Sequence, residues 1–385
     1  MTARSRRLKW RAVRPADQFG GAAGVEARIC YGFPFNRSLA VIKPGPRNSI
    51  TDVPGILVGS ASDVQVRTGV TVVIPVDRAI AAVDVRGGGP GTRETDLLAP
   101  DTLVDSVDAI VLSGGSVYGL AAADGVVAAL AAQGRGFKPF PNPAVPPSPI
   151  VPGAILYDLA NEGDKAWGLD PPYRRLGIDA FNAASFEAAL GNVGAGYGAR
   201  AGAFKGGQGT ASIVTAGGIS VGALACVNSF GSPVMPGNVA FWAWPFEIDG
   251  EFGGARPWDG GYAGFAPDDW GPAKANPAAL QNTTLAVVAT DAALTPAEAK
   301  RVAVMAQDGM ARAIRPIHAP FDGDVVFVLS TGSKALSEPR SMGLSELGAL
   351  AADCLSRAIA RGVYHASSLG AAAAYADKSG RERQS

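Results

Sequence analysis

An abrupt change of pattern at residue 283 constrains this chain more than any other sequence feature. Residues 231–282 are rich in Trp, Pro, Gly and Asn and show neither helical nor strand periodicity. At Thr283 the sequence turns into TTLAVVATD, a run of apolar and β-branched residues that is typical of a buried strand. An irregular stretch of that length is uncommon inside a compact domain and is usually functional. The fold must therefore lead a long loop directly into a buried strand.

Other apolar, β-branched runs predict further strands. The runs at 68–75 and 79–86 are separated by a short Pro-containing turn, which favours a β-hairpin. A second antiparallel pair is predicted where the turn at 216–218 joins two such runs. The two strands of this pair lie at 211–215 and 219–227, and the other predicted strands are a short one that follows a turn within 48–59 and one at 325–331.

Helices are predicted from the 3.6-residue period and from signals at their ends. The clearest helix begins after Thr295, where Pro296 occupies the first helical position and Glu298 completes a capping box. A buried strand, a Gly-Gly turn and a helix of small residues are predicted to follow one another over 108–130. The other predicted helices lie at 182–190 and at about 344–361, the last with Gly362 as its C-cap.

Charge and composition exclude several classes of protein. The chain has 34 Lys and Arg against 34 Asp and Glu, which argues against nucleic acid or an anionic membrane as the main partner. Its 50 glycines and 28 prolines show no collagen period, and 47% of the residues are hydrophobic, so tight turns and close backbone approaches are expected rather than disorder. Three scattered cysteines, no secretory signal and no membrane-spanning run indicate a cytoplasmic protein.

The usual hydrolase motifs are absent. The chain has two histidines, and HExxH, CxxC and G-x-S-x-G do not occur, so the common zinc and serine-hydrolase signatures fail. The Gly-rich loop at 87–91 matches neither phosphate-binding pattern. We therefore expect no cofactor and no metal.

A hydrolase without a usable histidine needs another base. A Thr at a newly made N-terminus supplies one, because its own α-amino group accepts the hydroxyl proton. Thr283 is well placed for this role, and Asn282 would be the residue whose carbonyl is attacked during self-cleavage. Two other interpretations stay open from the pattern alone: β-propensity at a strand start, and a glycosylation sequon in a secreted protein.

Two carboxylates precede the predicted strand at 325–331. Asp322 and Asp324 are spaced i and i+2, so in an extended segment both point to the same side. Such a pair can hold an ammonium group, can bind a divalent cation together with His318, or can be a solvated turn. The pattern alone leaves these three interpretations open.

Segments in order along residues 48–370 carry a resemblance. Among them are SITDVPGILVG (49–59), DVRGGGPGTRETDLL (84–98), AIVLSGGSVYGL (109–120), NTTLAVVATDAALT (282–295) and IRPIHAPFDGDVVF (314–327). They resemble the self-processing aminopeptidases of the DmpA type, which include L-aminopeptidase/D-esterases, β-peptidyl aminopeptidases and 6-aminohexanoate (nylon-6) oligomer hydrolases. The resemblance implies an α/β fold, a four-layer αββα sandwich similar to N-terminal-nucleophile hydrolases.

The resemblance also implies a domain organisation. One hydrolase domain is expected over 48–372, after a basic and loose extension at 1–47 and before a polar tail at 373–385. Self-cleavage would divide the chain into 1–282 and 283–385. A homo-oligomer of such processed heterodimers, a tetramer, is expected. The basic start of the chain also fits a mitochondrial presequence on composition.

The family's site residues carry over onto matching positions of this sequence. Thr283 would be nucleophile and, through its amine, general base. The Asp-Gly-Asp and Asn-Thr-Thr sequences look more like those of the nylon-oligomer hydrolases than those of the β-peptidases. The other implied positions are Asn228 as oxyanion donor, Tyr157 lining the site, Lys205 in FKGG, and Asp322 with Asp324 orienting the new ammonium and recognising the substrate's amine.

Departures from the family pattern bear on the substrate. Tyr197 and Arg200 interrupt a stretch that is usually small and rich in Gly and Thr. The leading expectation is an amide hydrolase for short linear substrates with a free amine, small peptides or 6-aminohexanoate oligomers. Two alternatives are an acyltransferase resembling ornithine acetyltransferases and a non-enzymatic binding relative, which would stay uncleaved.

Overall fold

The structure is a computed structural model that describes residues 42–140, 142–257, 273 and 282–380. The extension predicted at 1–47 lies outside the described residues up to position 41, as does most of 258–281. The α-helices in the described ranges are α1 (Ala121–Ala132), α2 (Tyr173–Asn182), α3 (Pro296–Ala313), α4 (Arg340–Tyr364) and α5 (Tyr375–Ser379). The strands are β1 (Ile56–Asp63), β2 (Thr68–Pro75), β3 (Ala79–Val85), β4 (Thr92–Arg93), β5 (Ser106–Val107), β6 (Ile110–Ser113), β7 (Gly153–Ile155), β8 (Arg200–Ala201), β9 (Phe204–Lys205), β10 (Gly207–Val214), β11 (Ser220–Asn228), β12 (Thr283–Ala292) and β13 (Val325–Lys334).

The strands form two sheets and a short ribbon. The first sheet has the order β1-β2-β6-β7-β4, and the second has the order β10-β11-β12-β13-β3-β5. Pairing is antiparallel except between β6 and β7 and between β12 and β13. The pair β8-β9 stands apart as a two-stranded ribbon. The strand predicted from residue 283 therefore lies in the middle of the second sheet.

Alternation along β12 shows how the layers stack. Leu285 and Val287 belong to the core between the two sheets, whereas Ala286 and Val288 pack towards α3 and α4. This is the period of two that a strand buried on both faces requires. On the far side, α1 and α2 cover the outer face of the first sheet. The order is helices, sheet, sheet, helices, which confirms the expected αββα sandwich.

The end signals of α3 are confirmed. The Thr295 hydroxyl accepts a hydrogen bond from the Glu298 backbone N–H at 3.3 Å, and Oε2 of Glu298 accepts one from the Thr295 N–H at 2.8 Å. Two orphan donors of the first turn are thereby satisfied. The antiparallel pair predicted around 216–218 is also confirmed, as β10 and β11.

The predicted hairpin of 68–75 and 79–86 is wrong. β2 pairs with β1 and β6 in the first sheet, whereas β3 pairs with β13 and β5 in the second. The short turn between them carries the chain from one sheet to the other. All eight residues of β2 are buried, because the strand has neighbours on both edges and layers on both faces.

Two helix predictions need correction. The helix predicted at 182–190 lies earlier, at Tyr173–Asn182, because the apolar side chains that face β1 and β2 lie within that range. Beyond it, Ser185 exchanges backbone hydrogen bonds with Val58 instead of continuing the helix. Gly362 does not cap α4, which runs on to Tyr364. A Cβ at Gly362 would lie 2.9 Å from the Gly209 nitrogen, so this glycine permits a close helix-to-strand approach.

Both ends of the described chain contact the sandwich. Lys43 forms a β-bridge with Val214, ahead of the expected domain start at 48. Tyr375, in the expected tail, is buried against the α4 side of the second sheet. Among the described helices, none has the length and apolarity that a bilayer crossing requires.

Candidate active site

Thr283 and Asn228 meet at the end of two central strands. Thr283 begins β12, Asn228 ends β11, and the two are direct partners in the antiparallel register. Leu285 and Cys226, two residues along each strand, face the core between the sheets. Because side chains alternate along a strand, Thr283 and Asn228 point to that same inter-sheet side. The two side chains expected to do chemistry thus share one face.

The peptide bond between Asn282 and Thr283 is held by two donors. In the uncut chain, the Thr283 hydroxyl donates to the Asn282 carbonyl oxygen at 2.6 Å, and the Gly323 backbone N–H donates to the same oxygen at 2.8 Å. Asn282 also forms a parallel β-bridge with Asp322. The hydroxyl lies against the peptide group that it would attack, and a backbone donor polarises that group's carbonyl.

Asp322 is buried and receives two backbone donors. Its carboxylate accepts hydrogen bonds from the N–H of Ala319 at 3.0 Å and of Phe230 at 3.3 Å. Burial, and after it the negative charge of Asp324, raise the pKa of Asp322 to about 7. The solvated-turn interpretation is wrong, because both carboxylates are fully buried.

Asp324 ties the start of β12 to the preceding loop. Its Oδ1 accepts from the Thr284 N–H at 2.8 Å, while its Oδ2 accepts from the His318 N–H at 3.0 Å and lies 2.9 Å from the His318 ring Nδ1. In the part of the chain that the structure describes, no cluster of three His, Cys, Asp or Glu could hold a metal ion. The contacts of this carboxylate are with backbone N–H groups and one imidazole.

The Gly-rich loop packs on this acidic loop. The Gly89 N–H donates to the Asp322 carbonyl at 2.7 Å. A Cβ at Gly87 would lie 2.3 Å from that carbonyl oxygen, and one at Gly88 would lie 2.3 Å from the Pro320 oxygen. Only glycine allows so close a backbone approach, so the loop's contacts are structural.

The Asn228 amide is oriented by backbone groups on both sides. Its Oδ1 accepts from the Arg200 N–H at 2.9 Å, and its Nδ2 donates to the Tyr157 carbonyl at 2.9 Å. A side-chain amide carries two N–H donors, and the second has no acceptor among the described residues. The amide is therefore fixed in place with one donor left for a ligand.

Lys205 is a buried amine beside this group. Its Nζ donates to the carbonyls of Gly206 at 2.8 Å and Gly196 at 3.1 Å. Burial lowers the pKa of Lys205 to about 7, opposed by the charge of Asp158. Lys205 joins the other site residues through Arg200, its partner in the β8-β9 ribbon.

Tyr157 enters the site through its backbone, and its neighbour Asp158 was missed by sequence reasoning. Asp158 accepts hydrogen bonds from the Thr68 hydroxyl and the Gly115 N–H, both at 2.7 Å. Burial raises the pKa of Asp158 to about 6. This carboxylate pins the segment whose carbonyl orients Asn228. In the sequence, the position of Asp158 next to the predicted site residue Tyr157 is the signal that could have identified it.

Gly323 was the second residue missed. The sequence analysis assigned roles only to the two carboxylates of Asp-Gly-Asp, whereas the glycine N–H donates to the Asn282 carbonyl. A Cβ at this position would lie 2.6 Å from the Thr283 hydroxyl oxygen. A glycine between two buried carboxylates is the signal that could have identified this close approach.

The chain is similar to known proteins over most of its length. The model of peptidase family S58 matches residues 48–375. An uncharacterized aminopeptidase of Mycobacterium tuberculosis (strain ATCC 25618 / H37Rv) is 44% identical over 359 residues, which cover 86% of this chain and 97% of the relative. The 6-aminohexanoate-oligomer endohydrolase of Kocuria sp. (strain KY2) is 28% identical over 367 residues, or 89% of this chain and 93% of the relative.

A solved structure shares the fold. The L-aminopeptidase D-Ala-esterase/amidase from Ochrobactrum anthropi, described as a variant of the Ntn hydrolase fold, matches with a TM-score of 0.60 at 20% identity. The match covers 84% of this chain and 88% of that chain. The two-sheet, four-layer architecture is therefore common to both.

Proposed function

This chain belongs to peptidase family S58 and is an amide-bond hydrolase, and on that premise we propose that it activates itself by cutting the bond between Asn282 and Thr283. Cutting the 385-residue chain after residue 282 leaves chains of 282 and 103 residues. The observation that carries the proposal is the geometry of that bond. The Thr283 hydroxyl is 2.6 Å from the Asn282 carbonyl oxygen, and the Gly323 N–H donates to the same oxygen.

The cleavage is an acyl shift followed by hydrolysis. The Thr283 hydroxyl oxygen attacks the Asn282 carbonyl carbon, and the negative charge develops on the oxygen that faces Gly323. Collapse breaks the peptide C–N bond, the proton lost by the Thr283 hydroxyl goes to the leaving nitrogen, and an ester between Asn282 and the Thr283 oxygen remains beside the new α-amine. Water then hydrolyses the ester, which frees a carboxylate on Asn282 and the α-amine and hydroxyl of Thr283.

The mature site would use the new amine as its base. A free α-amine has a pKa of roughly 7.7–8.0, so it accepts the Thr283 hydroxyl proton near neutral pH. The hydroxyl then attacks the substrate amide, and the remaining N–H of Asn228 donates to the developing oxyanion. The amine leaves with a proton, and water releases the acyl group from Thr283.

The acidic loop supports recognition of an amine. Asp322 and Asp324 are buried next to the residues that flank the cut, and a buried carboxylate is stabilised by a nearby ammonium. We propose short linear amides with a free amine as substrates, in keeping with the relatives named as aminopeptidase and as 6-aminohexanoate-oligomer endohydrolase. A homo-oligomer of processed heterodimers is part of the proposal, and light scattering on the purified protein would test it.

Intact mass under denaturing conditions tests the cleavage. We expect two species, one ending at Asn282 and one beginning at Thr283. The Thr283→Ala variant should remain a single uncut chain with no measurable amide hydrolysis, because it lacks the attacking oxygen. Thr283→Ser, which keeps a hydroxyl, should still cleave. A cleaved and active alanine variant, or a wild type that stays intact on long incubation, would refute the proposal.

A further inference from the structure

The acidic loop, residues 318–324, carries the groups that hold both sides of the scissile bond. Within it, the Gly323 N–H donates to the Asn282 carbonyl at 2.8 Å. At its end, the Asp324 carboxyl group accepts from the Thr284 N–H at 2.8 Å. The loop thus contacts the chain just before and just after the bond between Asn282 and Thr283, and its shape sets the position of both contacts.

Two nested contacts close this loop on itself. In the inner one, the Ala319 N–H donates to the Asp322 carboxyl group at 3.0 Å, and the Asp322 N–H donates to the Ala319 carbonyl at 2.9 Å. In the outer one, Oδ2 of Asp324 accepts from the His318 N–H at 3.0 Å and lies 2.9 Å from the His318 ring Nδ1. Gly323 lies between the two acidic residues, so the outer contact limits where its N–H can lie.

His318 adopts an uncommon backbone conformation to make the outer contact. Its φ is +57°, in the left-handed region that few residues other than glycine enter. Such a conformation persists where the surroundings impose it, and here one residue directs both its N–H and its ring nitrogen to the same carboxyl oxygen. Among the residues that the structure describes, no other side chain lies within hydrogen-bond distance of the Asp322 or Asp324 carboxyl group.

The His318 ring lies at the surface end of this contact. Its side chain is 23% exposed, whereas the side chain of Asp324 is fully buried. Because a carboxylate accepts hydrogen bonds, the tautomer with a proton on Nδ1 is the one that donates to Oδ2. Removing the ring therefore opens its position to a small N–H donor from solution.

We propose that His318 is a positioning residue for self-cleavage: its ring holds Asp324 and thereby keeps the acidic loop closed, with the Gly323 N–H on the scissile carbonyl. The inference rests on the proposed function, since it concerns how the same bond is cut. His318 is assigned no contact with the reacting atoms, so its loss slows the cut without removing the nucleophile.

The test measures self-cleavage in chains made by cell-free synthesis, followed as uncut chain against time by intact mass. His318→Gly removes the ring but keeps the N–H and adopts the left-handed backbone without strain. It should slow the cut by about 10- to 100-fold, as expected when a hydrogen bond to a charged group is lost. Imidazole added at millimolar concentration should restore most of the rate, which a merely structural role would not explain. His365→Gly, which removes the chain's other histidine, should cut at the wild-type rate with or without imidazole.

A second pair of variants keeps the inference testable if His318→Gly does not fold. His318→Asn places an N–H donor as many bonds from Cα as the ring Nδ1 and tolerates the left-handed backbone, whereas His318→Leu has no donor. The asparagine variant should cut at least about 10-fold faster than the leucine variant. Circular dichroism restricts each comparison to folded chains.

The outcomes separate this inference from the proposed function. A wild-type rate in folded His318→Gly, no response of that variant to imidazole, or equal rates for the asparagine and leucine variants would each overturn the role of His318. If the wild type is cut in the same experiment, the proposed function stands without this inference. A wild type that stays uncut would refute both.

Discussion

The two flanks of Thr283 are built in opposite ways. On the β13 side, the carboxyl groups of Asp322 and Asp324 accept hydrogen bonds from four backbone N–H groups and contact one imidazole. On the β11 side, the Lys205 amine donates to two carbonyl oxygens, and the buried Nε of Arg200 has no hydrogen-bond partner among the described residues. Backbone donors from three segments fix the two carboxyl groups of the acidic flank, whereas the basic flank keeps one buried donor without a partner. We infer that the acidic flank positions the cleavage.

The largest effect on the acidic flank is expected from Gly323→Ala. The new Cβ would lie 2.6 Å from the Thr283 hydroxyl oxygen and 2.9 Å from the Gly89 carbonyl, so the hydroxyl or the loop must move. Misplacement of a reacting group by about 1 Å can cost 100-fold, and we expect self-cleavage to slow by at least about that factor. The rate is read as uncut chain against time by intact mass. Gly217→Ala, with no neighbour closer than 3.8 Å, is the control. Normal cleavage of Gly323→Ala would show that the close contact does not matter.

A smaller effect is expected from Asp324→Asn. The amide keeps one acceptor for the Thr284 N–H but loses the charge that faces His318 and the new ammonium. Hydrogen bonds to a charged group contribute enough that we expect cleavage and turnover to fall by about 10- to 100-fold. Asp308→Asn, at an exposed position on α3, serves as the control. If both variants behaved alike, the acidic flank would not be what orients the cut.

The smallest expected effects are on the pH dependence of stability, in which the acidic flank and the basic flank act over different pH ranges. In the uncut Thr283→Ala background, the pKa of Asp322 rises from 3.8 to about 7 on folding, so the folded chain binds more protons and stability falls as pH rises between those values. The pKa of Lys205 falls from 10.5 to about 7, so the folded chain binds fewer protons and stability rises with pH between about 7 and 10.5. The melting temperature should therefore pass through a minimum near neutral pH.

The acid arm of this profile, below neutral pH, should respond to substitution of Asp322, and the alkaline arm, above neutral pH, to substitution of Lys205. Asp322→Asn should flatten the acid arm by a few degrees, with a residual slope from Asp158, whose pKa is raised to about 6. Lys205→Met should flatten the alkaline arm and, because the Lys205 charge lowers the pKa of Asp158, should steepen the part of the acid arm that Asp158 contributes. Melting curves from about pH 4 to about pH 10.5 measure both. An alkaline arm unchanged in Lys205→Met would show that this amine is not what shapes it.

Local signals predicted much of this fold. The alternation of β12, the capping box of α3 and the turn at 216–218 are each written in neighbouring residues. The partners of β2 and β3 are not, because the favourable short connection between them says nothing about which sheet each strand joins. Adjacency in sequence predicted a hairpin, but β2 pairs within the first sheet and β3 within the second.

Some residues of the candidate site could likewise be predicted from local sequence, and others could not. Thr283 is visible as a polar residue that opens an apolar strand, and Asp322 with Asp324 as a spaced pair. The role of Asp158 depends on Thr68 and Gly115, which are 90 and 43 residues away in sequence. The contact between the Arg200 N–H and Asn228 is likewise a property of the folded neighbourhood. Contacts between distant segments leave no local periodicity to read.

The strand order determines how the two chains left by self-cleavage would be held together. A cut after Asn282 would give β12 and β13 to one chain, while β10 and β11 on one edge and β3 and β5 on the other would stay with the second chain. The strands β12 and β13 of one polypeptide would then lie between strands of the other polypeptide within a single sheet. Separating them would require breaking backbone ladders on both sides, and the severed peptide bond would not re-form on cooling. Reassembly would depend on the concentration of both pieces, so heat inactivation of the mature enzyme should be a one-way event governed by the rate of unfolding.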